Sequence, residues 1–136
     1  MNRTDFQQLA DIRILEAGVL LSQGCFDGAY YLAGYAVECA LKACIAKLTQ
    51  EHDFPKREAS SYYSHKLNEL VRYAGIESDR QADSVVDTAL AINWSVVIVW
   101  NEGSRYERIT DAKAQELYDA IADPAHGVLP WLKKRW

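Results

Sequence analysis

Two oppositely charged residues stand out in the longest apolar segment of this chain. Glu38 and Lys42 lie within the segment 28–48, GAYYLAGYAVECALKACIAKL, and are its only charges before the last turn. A spacing of four, with the acid first, lets both side chains meet along one helix face. A charged pair on a buried helix costs free energy unless it is matched. Two interpretations stay open: a polar pocket for a ligand, or a structural ion pair or contact to Arg105. We expect Glu38, Lys42 and Arg105 to converge in space.

A second group of candidates combines positive charge with an aromatic ring. Arg105 and Arg108 carry guanidinium groups that suit a phosphate, and Tyr106 carries a ring on which a base can stack. His65, at the start of a helical pattern, is a candidate for contacting a phosphate or a base. The alternatives are that Arg105 pairs with Glu38, and that His65 is a solvated or capping side chain.

The sequence predicts no metal site, no cofactor and no catalytic residue. Cys25, Cys39 and Cys44 are odd in number and lack the CxxC or Cys/His spacing of metal ligands, so we expect buried, reduced thiols. A net charge of −4 argues against strong unspecific attraction to nucleic acid, which depends on neutralising phosphates with Lys and Arg.

The apolar segment itself predicts a helix at the centre of a bundle. Ala, Leu, Tyr and Cys dominate it, Pro is absent, and its many small residues suit close approach by neighbouring helices. Two charges near the middle of the segment are unfavourable in a bilayer. The N-terminal sequence lacks the apolar core of a signal peptide, so we expect a cytoplasmic protein without membrane contact.

Capping residues and helical periodicity define the elements on either side. A capping-box spacing at 4–7 opens the first predicted helix, and Asp27 is the predicted N-cap of the central helix. A polar segment at 52–63 is the predicted surface loop. Ser64 then caps a short third helix, for which Gly75 supplies the C′ residue.

The second half of the chain continues this pattern. A second capping-box spacing at 78–81 predicts one helix that runs on through 94–100, WSVVIVW, although the β-branched and aromatic residues there also suit a strand. Thr110 or Asp111 caps the last long helix. The sequence therefore predicts an all-α fold, an up-and-down bundle of four to five helices in one domain, residues 1–136.

Three of these segments together resemble the HEPN family, a nucleotide-binding domain of higher eukaryotes and prokaryotes, in its stand-alone bacterial or archaeal form. The first is AYYLAGYAVECALKA, where the family typically shows apolar residues around an E-x-x-x-K pair, here Glu38 and Lys42. The second is SHKLNELV, with His65 at a position where members commonly carry His. The third is WNEGSRY, similar to the aromatic and Arg-Tyr motif (here Arg105 and Tyr106) that precedes the last helix.

The resemblance implies partners. HEPN-like domains typically pair, with ligands in the groove between two copies, and they frequently accompany a small nucleotidyltransferase in toxin–antitoxin or defence settings. Two features of the residues also favour a homodimer. Fifteen residues are aromatic, and aromatic residues are enriched at subunit contacts. Asn93 falls on an apolar helix face, where a buried amide needs a partner, either across the bundle or at a subunit contact.

The resemblance does not extend to catalysis. Many family members are metal-independent ribonucleases that use an Arg followed, after four to six residues, by a His. The nearest spacing here is Arg57 to His65, with seven residues between them. We therefore expect a non-catalytic module that binds a nucleotide, an RNA or a partner protein. The alternatives are a ribonuclease with an unorthodox site of His65 and Arg57 or Arg105, and a purely structural bundle.

Overall fold

The structure, a computed structural model, describes residues 1–51 and 63–136, and every regular element within them is a helix. The predicted all-α class is confirmed for this part of the chain, whereas nearly all of the predicted loop at 52–63 lies outside it. The described residues form more helices than the predicted four to five. They are α1 (Arg3–Ser22), α2 (Phe26–Glu51), α3 (Leu67–Tyr73), α4 (Glu77–Val86), α5 (Thr88–Val97), a 3-10 helix (Glu102–Tyr106), α6 (Asp111–Ala122) and α7 (Val128–Lys133).

The first two helices form a hairpin around Gly24. Its φ of 75° lets the chain reverse, and the N–H of Cys25 returns to the carbonyl of Leu20 at 2.8 Å, so α1 ends in a Schellman motif. The predicted cap of α1 at residues 4–7 is wrong, because Asn2 and Asp5 form the capping box two residues earlier.

The central helix is α2, as predicted. It packs against α1, α3, α6, α7 and the 3-10 helix, and its small side chains let these neighbours approach closely. The fully buried alanines of α2 are Ala33, Ala36, Ala40 and Ala43. Within the described residues, none of the helices combines the length and apolar character that crossing a membrane requires.

Two predicted caps, one before α2 and one before α3, turn out differently. The helix α2 begins at Phe26, so Asp27 lies in its first turn and instead accepts the backbone N–H of Ile109 at 2.6 Å. The helix α3 begins at Leu67 rather than directly after Ser64. The hydroxyl of Ser64 reaches Glu69 in the first turn of that helix, at 2.7 Å.

The C-terminal end of α3 follows the sequence prediction. Gly75 has a φ of 71°, and the N–H of Ile76 returns to the carbonyl of Val71 at 3.4 Å. These contacts form a second Schellman motif, which confirms Gly75 as the C′ residue.

The single helix predicted from 78 to 100 is broken into two. Asp87 ends α4, and its carboxylate accepts the N–H of Leu90 at 3.0 Å as the N-cap of α5. The helix α4 begins at Glu77, so the capping box predicted at 78–81 is also wrong. Residues 94–97 are helical, and the chain turns before Trp100. The strand alternative for this segment is therefore wrong.

Candidate functional site

Glu38 is the centre of a polar cluster on one face of α2. Its side chain is 1% exposed, and its Oε1 atom lies 3.1 Å from Nζ of Lys42 and 2.5 Å from Nδ1 of His65. The sequence predicted that Glu38 and Lys42 meet on one helix face, and the structure confirms it. His65 was predicted as a separate candidate, and the fold brings it to the same carboxylate.

The imidazole of His65 connects three elements. Its Nδ1 faces Glu38 on α2, its Nε2 lies 3.4 Å from Oε2 of Glu102 on the 3-10 helix, and its backbone precedes α3. A ring with both nitrogens protonated can donate to both carboxylates. Because the two carboxylates lie on opposite sides of the ring, they do not converge on one point. Consistently, the described part of the chain contains no group of three side chains placed to hold a metal ion.

Arg105 does not join this cluster, and the predicted convergence of Arg105 with Glu38 and Lys42 is wrong. Its side chain is exposed, with the guanidinium carbon 4.9 Å from the centroid of the Tyr106 ring. The pKa of Arg105 is raised above its ordinary value because the guanidinium lies within hydrogen-bonding reach of Tyr106 and of Tyr31. The 3-10 helix explains this placement, since it turns Ser104 into the protein and Arg105 outward.

Aromatic side chains share the face of α2 that carries the Glu38 cluster. The rings of Tyr31 and Tyr35 are stacked 6.1 Å apart, and Tyr31 also lies 6.0 Å from the ring of Trp100. Gly34 faces the Trp100 indole so closely that any Cβ there would overlap it. The spacing of Tyr31, Gly34, Tyr35 and Glu38 at three and four along α2 was the available signal for this shared face.

Three buried polar atoms at this face have no hydrogen-bond partner within the described residues: Oε2 of Glu38, Nε1 of Trp100 and Oγ of Ser104. A buried polar group without a partner costs free energy, and such groups are rare in folded proteins. The face therefore keeps unused hydrogen-bonding capacity, both donor and acceptor.

Arg108 belongs to a different part of the surface. Its side chain is almost fully exposed and lies 3.6 Å from Asp27 near the start of α2. Together with Gly24 and Cys25 it borders an open cavity of about 390 Å³. Of the six residues predicted as ligand contacts, the structure thus joins Glu38, Lys42 and His65 directly, places Arg105 and Tyr106 on the adjoining 3-10 helix, and ties Arg108 to the α1–α2 hairpin.

The structure places two of the three cysteines in the core, as expected, and one at the surface. Burial raises the pKa of Cys39 to about 12 and that of Cys44 to about 11, as expected of inert core thiols. Cys25, in contrast, is exposed, so the prediction of a buried thiol is wrong there. It lies in the turn between α1 and α2, at the edge of the cavity bordered by Gly24 and Arg108.

Asn93 makes a hydrogen bond across the bundle, one of the two partners that its position on the apolar face predicted, although it is not fully buried. It is partly exposed, and its Nδ2 donates to the carbonyl of His126 at 2.8 Å. The ring of His126 in turn lies 2.8 Å from the carboxylate of Asp87. The Asp87 carboxylate raises the pKa of His126, and His126 lowers the pKa of Asp87.

Comparisons of this chain with protein-family models, with curated proteins and with solved structures find no match.

Proposed function

We propose that this chain is a non-catalytic, HEPN-like binding module that takes a nucleotide or an RNA at the 3-10 helix beside the Glu38 cluster. The observation that carries the proposal is the pairing of Arg105 with Tyr106. The Tyr106 side chain is 81% exposed, and the guanidinium lies against its ring. Exposed aromatic rings and arginine planes are the surfaces on which unpaired bases stack.

The neighbouring cluster supplies polar contacts for the same ligand. The side chains of His65 and Glu102 are each 44% exposed, so a ligand in solvent can reach both of them. Phosphate would be attracted by Arg105, while a base edge can be read by carboxylate or imidazole groups. The cluster thus complements the stacking surface with hydrogen-bonding groups.

Pairing of two copies is part of the proposal. The ring contacts of Tyr31 and Tyr35 and the hydrogen bond from Asn93 to His126 give these three residues partners within one chain, so they are not evidence for a dimer. Support comes instead from an exposed apolar stripe on α1, whose members are Ile12, Leu15 and Val19. Their spacing of three and four places them on one helix face. The HEPN resemblance adds a small nucleotidyltransferase, in a toxin–antitoxin or defence setting, as a proposed partner protein.

The binding proposal can be tested by fluorescence anisotropy with labelled single-stranded RNA. Loss of one stacked base typically costs 1–3 kcal/mol, so we expect Tyr106→Ala to weaken binding by about tenfold. Arg105→Gln should weaken it as well and lower its salt dependence. Arg72→Gln is the matched control, because Arg72 also lies over a neighbouring tyrosine, Tyr73, at 5.8 Å on α3. Equal affinity in all three variants would remove the 3-10 helix as the binding surface.

One observation favours a second candidate, a metal-independent ribonuclease. Glu38 holds Nδ1 of His65, which is how a buried carboxylate orients a histidine that acts as a general acid or base. The chain nevertheless lacks the Arg and His spacing of the family's ribonucleases, and we expect no cleavage of RNA. Incubation of the purified protein with RNA in EDTA is the test. Cleavage that His65→Ala abolishes would replace the binding module by this enzyme.

A further inference from the structure

A second cavity lies on a different face of the molecule, between the end of α4, the start of α5, the turn at 123–127 and α7. Its volume of about 280 Å³ is close to the lower limit of roughly 300 Å³ for small-molecule sites, which indicates a small ligand. Apolar side chains form much of the wall: Val86, Leu90, Pro124, Pro130 and Trp131. Val86 is 88% exposed although it borders this cavity, so apolar surface is available at the rim.

Both acidic residues that line the cavity already have partners. The Oδ2 atom of Asp83 accepts from Nε1 of Trp131 at 2.8 Å and from Arg135 at 2.9 Å. Asp87 accepts the N–H of Leu90 and lies against His126. Their negative charges are thus matched by groups of the protein itself, and they offer little attraction to a cationic ligand.

Two basic groups at the same cavity retain free hydrogen-bonding capacity. Lys134 has no ion-pair partner within residues 1–51 and 63–136, and it lines the cavity. The Nδ1 atom of His126 is held by Asp87, which leaves Nε2 as the ring nitrogen without a partner among the described residues. Since Asp87 raises the pKa of His126, the ring keeps its proton, and with it a donor at Nε2, to a higher pH than an isolated histidine.

We propose that this cavity binds a small carboxylate with an apolar body, the carboxylate held by Lys134 and Nε2 of His126 and the body placed against Leu90 and Trp131. The charge left unmatched at the cavity is that of Lys134. Because this charge is positive, the cavity selects an anion. The apolar wall selects an anion with a hydrocarbon group over inorganic phosphate or acetate. The site is independent of the surface proposed for nucleotide or RNA binding, because none of its lining residues belongs to that surface.

Isothermal titration of the full chain with phenylacetate at pH 6 is the direct test. Phenylacetamide, which has the same body without the charge, and acetate, which has the charge without the body, are the matched ligands. We expect both to bind at least tenfold more weakly than phenylacetate, because each lacks one of the two contacts.

Variants then locate the site. Lys134 is exposed, so Lys134→Met keeps the fold and should weaken phenylacetate binding by about tenfold. Lys133→Met is the control, since the neighbouring Lys133 pairs with Asp11 at 2.6 Å and does not line the cavity. We expect it to bind phenylacetate like the unmodified protein.

The pH dependence of the affinity for phenylacetate tests whether His126 itself contacts the ligand. The charged groups around its ring are Asp87 at the start of α5, Asp83 on α4 with its partner Arg135, Asp123 in the adjoining turn, and Lys134. Loss of the His126 proton removes a positive charge and a donor, so affinity should fall as pH rises from 6 to 9, and His126→Asn should flatten this dependence.

Two results would overturn the proposal. One is equal affinity for phenylacetate and phenylacetamide, which would mean that no cationic group contacts the ligand. The other is equal weakening by Lys134→Met and Lys133→Met, which would place the binding elsewhere. RNA binding at the 3-10 helix is measured separately, so neither result bears on that function.

Discussion

A single carboxylate, Glu38, organises the polar interior of this chain. It is nearly fully buried, and two positively charged or protonatable side chains share one of its oxygens. The electrostatic cost of burying Lys42 therefore depends on Glu38 being ionised and in place. The same carboxylate therefore orients the His65 ring and neutralises the charge of Lys42.

Removing the Glu38 carboxylate should destabilise the protein more than removing the whole ion pair. In Glu38→Leu the ammonium of Lys42 stays buried without its partner, a change that typically costs about 3–5 kcal/mol. In the double variant Glu38→Leu, Lys42→Met no buried charge remains, so we expect most of that loss to be recovered. Urea unfolding of the three proteins is the measurement. A double variant no more stable than Glu38→Leu would show that Lys42 is not the source of the cost.

The ion pair of Asp87 and His126 should make stability depend on pH. His126 has a pKa raised above 6.5, so its contribution is complete below pH 6.5 and is lost as pH rises through the raised pKa. Asp87 has a pKa lowered below 3.8, so its contribution is complete above pH 3.8 and is lost as pH falls through the lowered pKa. The pair therefore stabilises the fold most between pH 3.8 and 6.5.

Asp87→Asn tests this pair with the helix cap retained, because an Asn side chain also accepts the N–H of Leu90. We expect the difference in unfolding free energy between the two proteins to be largest at pH 5 and smaller at pH 8.5. Urea unfolding at both values measures it. A difference that stays constant with pH would mean that the ion pair of Asp87 with His126 does not contribute to stability.

At the scale of the elements, the packing of α2 against Trp100 is the most demanding contact. A Cβ at Gly34 would overlap the indole ring, whereas a Cβ at Gly28 in the same helix would meet the end of the flexible Leu20 side chain at 3.1 Å. Trp100 is 2% exposed, so its ring has little room to move away. Both glycines lie in α2, but Gly34 faces a fixed ring and Gly28 faces the end of a flexible side chain.

Gly34→Ala should therefore destabilise the protein by roughly 1–3 kcal/mol, the usual cost of overpacking a core. Gly28→Ala is the control, since replacing a helical glycine by alanine gains about 0.5–1 kcal/mol in propensity, which offsets the displacement of Leu20. Thermal and urea unfolding of both variants give the comparison. If Gly34→Ala is as stable as the control, the Trp100 ring must be able to shift.

The sequence predicts an element when the contact that defines it joins residues within about one turn of the chain, and fails when that contact joins distant residues. The central helix, the Gly75 terminus and the meeting of Glu38 with Lys42 follow from neighbours within a turn, and the sequence predicts all three. The break at Asp87 does not, because a carboxylate after two valines suits a helix surface as well as an N-cap. Its ion pair with His126, 39 residues later, depends on the tertiary fold.

The candidate site shows the same limit. His65 contacts Glu38 across 27 residues, and that distance along the chain carries no periodic signal. The sequence predicts a contact of Arg105 with Glu38 because Arg105 lies in the loop most able to reach the buried charges. The 3-10 geometry that directs its side chain outward could not be derived from the residues WNEGSRY alone.

For the whole molecule, the proposed dimer gives a direct prediction. Light scattering at micromolar concentration should report the mass of two chains, because an apolar interface persists under those conditions. Leu15→Gln, in the middle of the exposed α1 stripe, should shift the mass toward one chain. Val85→Gln, an equally exposed apolar residue on α4, is the control and should leave the mass unchanged. The mass of a single chain for the unmodified protein would contradict the dimer.

The way α4 is attached has a consequence for how the native protein fluctuates. Every residue of α4 is at least partly exposed. The helix is held by hydrogen bonds to Asp83 from Trp131 on α7 and from Arg135 just after α7, and by a contact of Arg80 with Trp94. Detaching it would expose little new apolar surface, so its opening free energy should barely depend on urea. Salt, which screens the ties of Arg135 to Asp79 and Asp83, should lower it. Amide hydrogens of α4 would then exchange through a local event that responds to ionic strength, while those of α2 exchange only when the whole chain unfolds.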